Sequence, residues 1–290
     1  MRQTLVVVLV VVLVAIGVVI SAEYISHYYI FVPKCGLNRH IIKTRVQNVP
    51  HNAIWLAQLT DKHKVKGIVM DLHIANLDVP KTFAYARACG EIPWEHLPEN
   101  FVLKPTHSSG VFHVCMKCSD AKQKCATYVS KTLKRSYNPR WKRLLHKLGV
   151  PLVEHHYDLI EPGIIVEELL ADNRDWKFHV YNGRVHFVIV CYDRVSHTRH
   201  RRAAVTRSFE PLAWNRYVQK LAPTPPPRPE AWNRMVEIAE ELATRLVANE
   251  YVRVDLYYDK GRILLGELTF ISEGGRGRFD PVDVDEHFSP

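Results

Sequence analysis

The sequence has 290 residues, of which 47% are hydrophobic and 24% are charged. This composition excludes a largely disordered chain, and six cysteines in this length exclude a dense disulfide framework. The formal net charge of +9 is compatible with a nucleotide, an acidic glycan, a membrane surface or a nucleic acid as partner, and does not choose among them.

An apolar segment stands at the start of the chain. Residues 5–22 carry no charged side chain and consist mainly of valine and leucine. A run of about 18 apolar residues is close to the minimum that crosses the hydrocarbon core as a helix. We therefore predict a transmembrane anchor in residues 1–22 that contacts the membrane through residues 5–22. A cleaved signal peptide is the alternative, because residues 20–22 resemble a small-residue cleavage site.

The charges that flank this segment predict its orientation. Arg2 precedes it, whereas Lys34 and Arg39 follow it in the aromatic, basic juxtamembrane stretch of residues 23–50. An excess of lysine and arginine marks the cytoplasmic side of a membrane span. The sequence therefore predicts a single-pass membrane protein with a cytoplasmic catalytic domain.

The cysteines favour reduced thiols over a metal site. Cys115, Cys118 and Cys125, together with His113, could in principle bind zinc. However, the spacing to Cys125 is unusual and the chain has no second CxxC motif. Thiols in a reducing compartment are the favoured interpretation. The six cysteines are Cys35, Cys89, Cys115, Cys118, Cys125 and Cys191.

Strand and helix patterns begin after a mixed, loop-rich stretch at residues 51–98. Phe101 to Lys104 predicts a short strand that Pro105 ends, and a basic helix is expected over residues 121–148. The β-branched run at residues 164–170 predicts a buried strand.

The C-terminal half predicts two hairpins separated by a helix. Residues 175–190 alternate around Asn182-Gly183, a type I′ turn signal, and residues 230–247 show the apolar stripe of an amphipathic helix. Residues 251–258 and 262–271 predict the second hairpin. Hairpins mixed with helices indicate an α+β fold.

The second hairpin predicts a metal site. Residues two apart in a strand share a face, so Arg253 and Asp255 point the same way, as do Glu267 and Thr269 on the next strand. The short turn brings Asp255 and Glu267 to similar height. Neighbouring carboxylates repel unless a cation lies between them, and Mg²⁺ suits such a pair. The alternative is an exposed hairpin face with an Arg–Asp pair.

Lysines at strand ends predict phosphate contacts. Lys104 ends an apolar strand and precedes a small, hydroxyl-rich loop, whose backbone N–H groups can cradle phosphate. Lys62 and Lys177 offer two more basic sites. Glu167 and Glu168 are adjacent near the end of a buried strand, so they face opposite sides. They are either part of an adenine-binding hinge or two helix-capping glutamates.

Together these pieces resemble the TupA-like branch of the ATP-grasp superfamily, over a domain at residues 51–290. The resemblance implies a two-lobed fold with ATP held between lobes of about residues 99–172 and 173–290. The motifs that carry it stand in this order: DK, FVLKPTHSSG, IIVEELL, DWKFHVYNGR, EIAEEL, YVRVDLYYDKGRILLGELTF and FDP.

The resemblance also implies roles for individual residues. Lys62 and Lys104 would contact the ATP phosphates, and Arg253 would stabilise the transition state that forms an acyl phosphate. Asp175 would meet the ribose and Lys177 another phosphate. Three sets complete the site: a loop over the phosphates with Thr106, Ser108, Ser109 and Gly110; an adenine hinge with Glu167, Glu168 and Leu169; and Mg²⁺ ligands Asp255 and Glu267, with Thr269 where many relatives place asparagine.

The implied activity is an ATP-dependent ligase that joins a carboxylate to an amine. The resemblance associates it with cell-surface polysaccharide or glycopeptide modification, with a uronic acid or acidic glycan as the carboxylate and an amino acid as the amine. A basic cluster would suit an acidic glycan, although a solvated loop explains it equally well. Its members are Arg194, Arg199, Arg201, Arg202 and Arg207.

Two other functions are compatible with the sequence. An ATP-grasp kinase or phosphotransferase would have the same ATP site and would transfer phosphate to a glycan hydroxyl. A non-catalytic, membrane-tethered basic module would leave the carboxylate and lysine pattern unexplained. A nucleic-acid partner is not expected, because the aromatic residues form no evident stacking surface.

Overall fold

The structure is a computed structural model, and the residues that it describes fall into several ranges. The predicted anchor at residues 5–22 lies outside them, as does most of the predicted helix at residues 121–148. Within the described ranges no helix combines the length and the apolar character needed to cross a membrane. The ranges are 36–47, 53–108, 110–117, 120–125, 127, 154–193, 201–213, 215–216, 224–248, 250–275, 277 and 279–280.

Short helices and strands make up the N-terminal half. The helices are α1 (Gly36–Ile41), continued by a π-helical stretch at Ile42–Gln47, α2 (Ala53–Thr60), α3 (Lys64–Met70) and α4 (Ala121–Lys124), with 3₁₀ turns at Cys89–Glu91, Trp94–His96 and His155–Leu159. The strands are β1 (Leu77–Asp78), β2 (Thr82–Ala86), β3 (Asn100–Pro105), β4 (His113–Met116) and β5 (Ile164–Glu168).

Longer strands and one long helix make up the C-terminal half. The strands are β6 (Asp175–Tyr181), β7 (Arg184–Tyr192), β8 (Arg201–Val205), β9 (Asn215–Arg216), β10 (Val252–Asp259), β11 (Arg262–Thr269) and β12 (Phe279–Asp280), and the helix is α5 (Trp232–Val247), with a 3₁₀ turn at Ser272–Gly275. Both predicted hairpins and the predicted amphipathic helix are therefore present.

Six of the described strands form the larger sheet, in the order β1-β11-β10-β6-β7-β8. Its apolar face packs against α5, where Trp232 lies 5.5 Å from Trp176 and 5.4 Å from Phe178 between ring centroids. All three aromatic side chains are buried. Burial of several large aromatic side chains is a major source of stability in such a core. The opposite face of β6 and β10 is left to the polar residues of the candidate site.

Four strands form the smaller sheet, in the order β2-β5-β3-β4. Residues 82–86 supply its edge strand β2, so the sheet begins well before the predicted lobe boundary at residue 99. Apolar side chains on one face of this sheet belong to a second buried cluster, which includes Phe101, Leu103, Ile164 and Val166. Lys104 and Glu167 alternate with these residues along β3 and β5, so their side chains lie on the opposite face of the sheet.

Pro105 ends strand β3, as predicted. The strand includes Pro105 as its last residue, which pairs with Ile164 on β5. Proline lacks an N–H donor, and it is tolerated here as the last residue of the strand. The chain leaves the sheet at Thr106, so Lys104 lies inside β3, one residue before its end.

The cysteine prediction was wrong for two residues. Cys89 and Cys125 form a disulfide across a sequence separation of 36 residues, so Cys125 is neither a reduced thiol nor a zinc ligand. Cys115 and Cys191 are buried thiols. Cys118 lies outside the described residues, and no group of three His, Cys, Asp or Glu side chains among the described residues could hold a metal ion.

Charged side chains link the two sheets at one edge. Arg262 on β11 donates two hydrogen bonds to the carboxylate of Glu168 on β5, with N···O distances of 3.2 and 3.0 Å. The backbone N–H of Asp172 donates to Asp259 at 2.9 Å. These contacts hold the end of β5 against the end of β10, so the polar faces of the two sheets meet along a shared cleft.

Candidate active site

Asp255 and Glu267 form the carboxylate pair at the centre of the larger sheet. They are direct partners in the antiparallel register of β10 and β11, and Asp255 is 3% exposed. The register shifts after this pair, so Leu256 pairs with Leu265 and Gly266 is the extra residue of a β-bulge. The predicted opposition of the two carboxylates is confirmed by this register.

Two cationic side chains engage Asp255. Arg253 donates from Nε to Oδ1 at 2.6 Å and from Nη2 to Oδ2 at 2.7 Å. Lys177, the partner of Asp255 on β6, contacts Oδ2 at 2.5 Å and Oδ2 of Asp175 at 2.6 Å. Burial by itself would lower the pKa of Lys177, but Asp175 and Asp255 outweigh burial and raise it. Lys177 is therefore a charged bridge between two buried carboxylates.

Glu267 is held on its other side by a hydroxyl. Thr269 donates from Oγ1 to Oε1 of Glu267 at 2.8 Å, and Arg253 Nη2 lies 4.0 Å from the same oxygen. Burial would raise the pKa of Glu267, and Asp255 adds to that effect. The charge of Lys62 on the facing segment, helped by Arg253 and Lys177, outweighs both and lowers the pKa. Glu267 is therefore ionised at neutral pH.

The donor set fits Mg²⁺. Asp255, Glu267 and Thr269 supply hard oxygen ligands on one face of two adjacent strands, with fewer groups than a site built entirely from protein would need. Mg²⁺ characteristically binds through one or two carboxylates, and takes its remaining ligands from water and phosphate. The cations now on Asp255 show that this carboxylate already requires a positive charge beside it.

Glu167 and Lys104 form the centre of the smaller sheet's polar face. Lys104 Nζ lies 2.6 Å from Oε2 of Glu167, and Lys66 contacts Oε1. Both oxygens of Glu167 therefore contact lysines, which differs from the expectation that its side chain accepts a hydrogen bond from adenine. The backbone of Glu168 and the half-buried Leu169 is the part of the expected hinge that this contact leaves unchanged.

Electrostatics keep this pair charged despite its burial. For Glu167, burial alone would raise the pKa, but Lys104 and Lys66 outweigh burial and lower it. For Lys104, burial alone would lower the pKa, but Glu167, with a smaller contribution from Tyr257 across the cleft, raises it. A buried lysine that stays protonated can act as a fixed point charge for a phosphate.

The loop after β3 lies next to Lys62. The backbone N–H of Lys62 donates to Thr106 O at 3.4 Å, and its Nζ donates to Ser108 O at 2.6 Å. The Ser108 hydroxyl is buried and makes no hydrogen bond within the described part of the chain. A buried hydroxyl of this kind fits an anionic ligand. Gly110 has a positive φ of 74°, whereas Ser109 lies outside the described residues.

The structure adds contacts to two further expectations. Asp175 is 4% exposed and its carboxylate contacts Lys177, and its ribose contact stays a prediction. In the basic cluster, Arg207 pairs with Glu240 at 2.8 Å and Arg201 lies over the Tyr192 ring at 5.2 Å. Arg194 and Arg199 lie outside the described residues.

Sequence reasoning missed Lys66, and it named Asp61 in a motif without giving it a role. Lys66 contacts Glu167, and Asp61 accepts hydrogen bonds from the backbone N–H groups of His63 and Lys64 at 2.8 and 3.2 Å, at the start of α3. Lys66 lies four residues after Lys62, but Lys62 precedes α3, so helical spacing did not indicate a shared role. Its partner on a distant strand could not be read from that spacing.

The fold is α+β, and its two sheets meet at a cleft. Lysines lie on one side of this cleft and a carboxylate pair on the other, an arrangement that indicates the ATP-grasp class of proteins. A family model described as TupA-like ATPgrasp matches residues 41–289. The chain therefore belongs to the TupA-like ATP-grasp family, as the sequence motifs predicted. No match was found among curated proteins.

Three solved structures are similar to this chain to different extents. The L-amino acid ligase from Bacillus licheniformis is similar at 13% identity and a TM-score of 0.51, over 77% of this chain and 45% of that one. ATP-grasp ligase PsnB complexed with minimal precursor has 13% identity and a TM-score of 0.44, over 84% and 59%. D-alanine–D-alanine ligase from Bacillus anthracis complexed with ATP has 13% identity and a TM-score of 0.40, over 75% and 55%.

These similarities concern the fold alone. This chain spans between 45% and 59% of the lengths of the three solved proteins. What those ligases bind is therefore a property of those proteins and not of this chain.

Proposed function

We propose that this chain is an ATP-dependent carboxylate–amine ligase. The observation that carries the proposal is the carboxylate pair Asp255 and Glu267, set beside Arg253 and Lys177 and facing the lysines of the smaller sheet. A divalent cation would bind the carboxylate pair, and the phosphates of a nucleotide would contact the lysines.

The proposed nucleotide contacts follow from the placement of these groups. Lys62, Lys104 and the loop from Thr106 to Gly110 would hold the phosphates, and the backbone of Glu168 and Leu169 would hold the base. Asp255, Glu267 and Thr269 would hold Mg²⁺. When bound, this ion neutralises phosphate charge and fixes the orientation of the phosphate chain.

The proposed chemistry needs no side-chain nucleophile. An oxygen of the substrate carboxylate forms a bond to the γ-phosphorus of ATP, the bond from that phosphorus to the bridging oxygen breaks, and ADP leaves. The amine nitrogen then attacks the acyl carbon, inorganic phosphate leaves and the amine loses a proton. In this proposal Arg253 and Lys177 would stabilise charge on the transferred phosphoryl group, and catalysis would be positioning and electrostatics.

The proposed substrates are a uronic acid or other acidic glycan as the carboxylate and an amino acid as the amine. The family and the net charge of +9 support an acidic substrate. The basic cluster supports an acidic glycan less strongly than its composition implied, because Arg207 is paired with Glu240. The proposed role lies in the modification of cell-surface polysaccharide or glycopeptide.

The decisive experiment measures ADP release by the purified protein. Panels of uronic acids, amino acids and peptides are supplied singly and in pairs, with Mg²⁺ or with EDTA. A ligase releases ADP only when a carboxylate and an amine are both present, and hydroxylamine in place of the amine traps the activated carboxylate as a hydroxamate. ADP release with a hydroxyl acceptor alone would instead establish a kinase.

We also propose that residues 5–22 anchor the protein in a membrane with the catalytic domain on the cytoplasmic side. The uncharged run of about 18 residues supports this proposal. Fractionation of cells that express the full chain or a chain without residues 1–22 tests it, together with protease protection of the C-terminal domain. Recovery of the full chain in the soluble fraction would overturn the anchor.

A further inference from the structure

Lys66 is a half-buried cation whose three ammonium hydrogens all have acceptors within the protein. Its Nζ donates to the backbone oxygen of Pro80 at 2.6 Å and to Thr82 Oγ1 at 2.9 Å, and it contacts Oε1 of Glu167. A lysine ammonium group has three hydrogens, and three acceptors surround this one. Its side chain is 12% exposed. Lys66 is therefore engaged by protein and does not itself reach a ligand.

These contacts tie helix α3 to the smaller sheet. Pro80 and Thr82 belong to the connection between β1 and β2 and to the start of β2, whereas Glu167 lies on β5. Thr82 and Glu167 are cross-strand partners, so Lys66 spans two adjacent strands from above. A lysine that joins three segments in this way fixes the distance of its helix from the sheet.

Glu167 extends this contact to Lys104. One of its oxygens binds Lys66, and the other lies 2.6 Å from Lys104 Nζ. Because the carboxylate is almost completely buried, loss of either lysine would leave it with a single cation in a site of low polarity. The position of Lys104 thus depends on the position of Lys66 through a shared carboxylate.

Lys62 is connected to the same helix at its other end. Asp61 and Lys62 immediately precede α3, and Lys62 lies one helical turn before Lys66. Lys62 contacts the loop after β3 through Ser108 O and lies near Glu267. Lys62, which would contact phosphate, therefore lies just before α3. Lys66, within α3, holds the second such lysine, Lys104, through Glu167.

We infer that Lys66 is a positioning residue that sets the spacing between Lys62 and Lys104. Through this spacing it sets the affinity of the site for a nucleoside triphosphate. This inference rests on the proposed function. It assigns to Lys66 no contact with the nucleotide, and it predicts an effect that increases with the number of phosphates on the ligand.

The test compares ATP and AMP binding to Lys66→Met, which keeps the aliphatic stem and removes the ammonium group. We expect the dissociation constant for ATP to rise roughly tenfold or more, because two misplaced cations weaken several charge-assisted hydrogen bonds, while that for AMP changes by less than about threefold. Lys66→Arg, which restores the charge, should recover part of the loss. Lys64→Met is the matched control, since Lys64 is exposed on the same helix.

Several results would overturn the inference. Lys66→Met could weaken ATP and AMP by the same factor, or lower the melting temperature with ATP affinity unchanged, and either outcome would assign Lys66 a purely structural role. If Lys66→Met does not fold, Thr82→Val removes one acceptor and should give a smaller loss with the same dependence on phosphate number. A wild-type protein that binds no ATP would refute the proposed function itself, which separates the two failures.

Discussion

Asp255 lies directly opposite Glu267 across the antiparallel pair β10 and β11, and both oxygens of Asp255 are engaged by Arg253 and Lys177. Two carboxylates at this distance are kept ionised by the cations around them. Arg253 and Lys177 therefore neutralise Asp255 within the protein.

The variants Asp255→Asn and Glu267→Gln should lose Mg²⁺-dependent ATP binding. Each removes one of the two carboxylates, so affinity in Mg²⁺ should fall on the order of tenfold or more, towards that measured in EDTA. Titration calorimetry with Mg²⁺ and with EDTA measures the difference. Amide substitutions are preferred over alanine because they keep the volume of each side chain.

Glu241→Gln is the control for these two variants. Glu241 pairs with Arg245 on the exposed face of α5 at 3.0 Å, away from the site. It should bind ATP as the wild type does. Unchanged Mg²⁺-dependent affinity in both Asp255→Asn and Glu267→Gln, with the fold intact by circular dichroism, would remove these residues from the metal site.

Gly266→Ala should destabilise the protein, and Gly67→Ala should not. A Cβ at Gly266 would lie 2.6 Å from the Tyr257 ring and 3.2 Å from the backbone oxygen of Asp255, whereas one at Gly67 would meet nothing within 4 Å. We expect a loss of about 1–3 kcal/mol for Gly266→Ala from overpacking. Gly67 lies in α3, where alanine should add roughly 0.5–1 kcal/mol. Urea denaturation measures both; equal stabilities would contradict the tight contact at the bulge.

Reduction of the Cys89–Cys125 disulfide should destabilise the smaller sheet. The bond closes a loop with a sequence separation of 36 residues that contains β3, the loop after β3 and β4. The chain-entropy relation gives a contribution of about 4 kcal/mol for a loop of this size. Denaturation of the wild type and of Cys89→Ser/Cys125→Ser, each with and without reductant, measures it. Reductant should affect only the wild type, and an equal effect on both proteins would contradict the prediction.

Stability should fall as the pH drops below about 6.5, in part because of His63. Burial is the largest effect and lowers the pKa of His63; Lys66, Lys64 and Arg87 add to it, and Asp61 opposes it. The unfolded chain therefore binds the proton at higher pH than the folded protein does, so folding loses free energy as the pH falls through that range. His63→Phe, which keeps the ring stacked on Tyr85, should reduce the slope of unfolding free energy against pH between 7 and 5.5. A slope identical to that of the wild type would contradict this assignment.

Local patterns predicted the hairpins and the carboxylate pair. Asn182 and Gly183 both have a positive φ, as a type I′ turn requires. The turn at Lys260 and Gly261 starts the register of the second hairpin, and the bulge at Gly266 then shifts that register so that Asp255 lies opposite Glu267. Turn type and strand alternation depend on neighbouring residues alone. For this reason both hairpins and the proximity of Asp255 to Glu267 could be predicted, whereas the bulge at Gly266 that pairs them directly could not.

Long-range partners could not be predicted in the same way. The sequence indicated Glu167 as an adenine contact, and the structure places it between Lys66 and Lys104. The cysteine pattern favoured reduced thiols, whereas Cys125 pairs with Cys89. In each case the chemistry depends on which strand or helix lies beside the residue, and no local spacing contains that information.

The sequence by itself determined the family, the α+β class and the residues that line the site, because ordered motifs, turn residues and strand periodicity are properties of the linear chain. The tertiary structure decided which charges meet. Lys177 bridges Asp175 and Asp255, and Lys66 shares Glu167 with Lys104, because the folding of two sheets against one another buries these groups together. A buried charge must have an opposite charge beside it, and only the packed fold selects that partner.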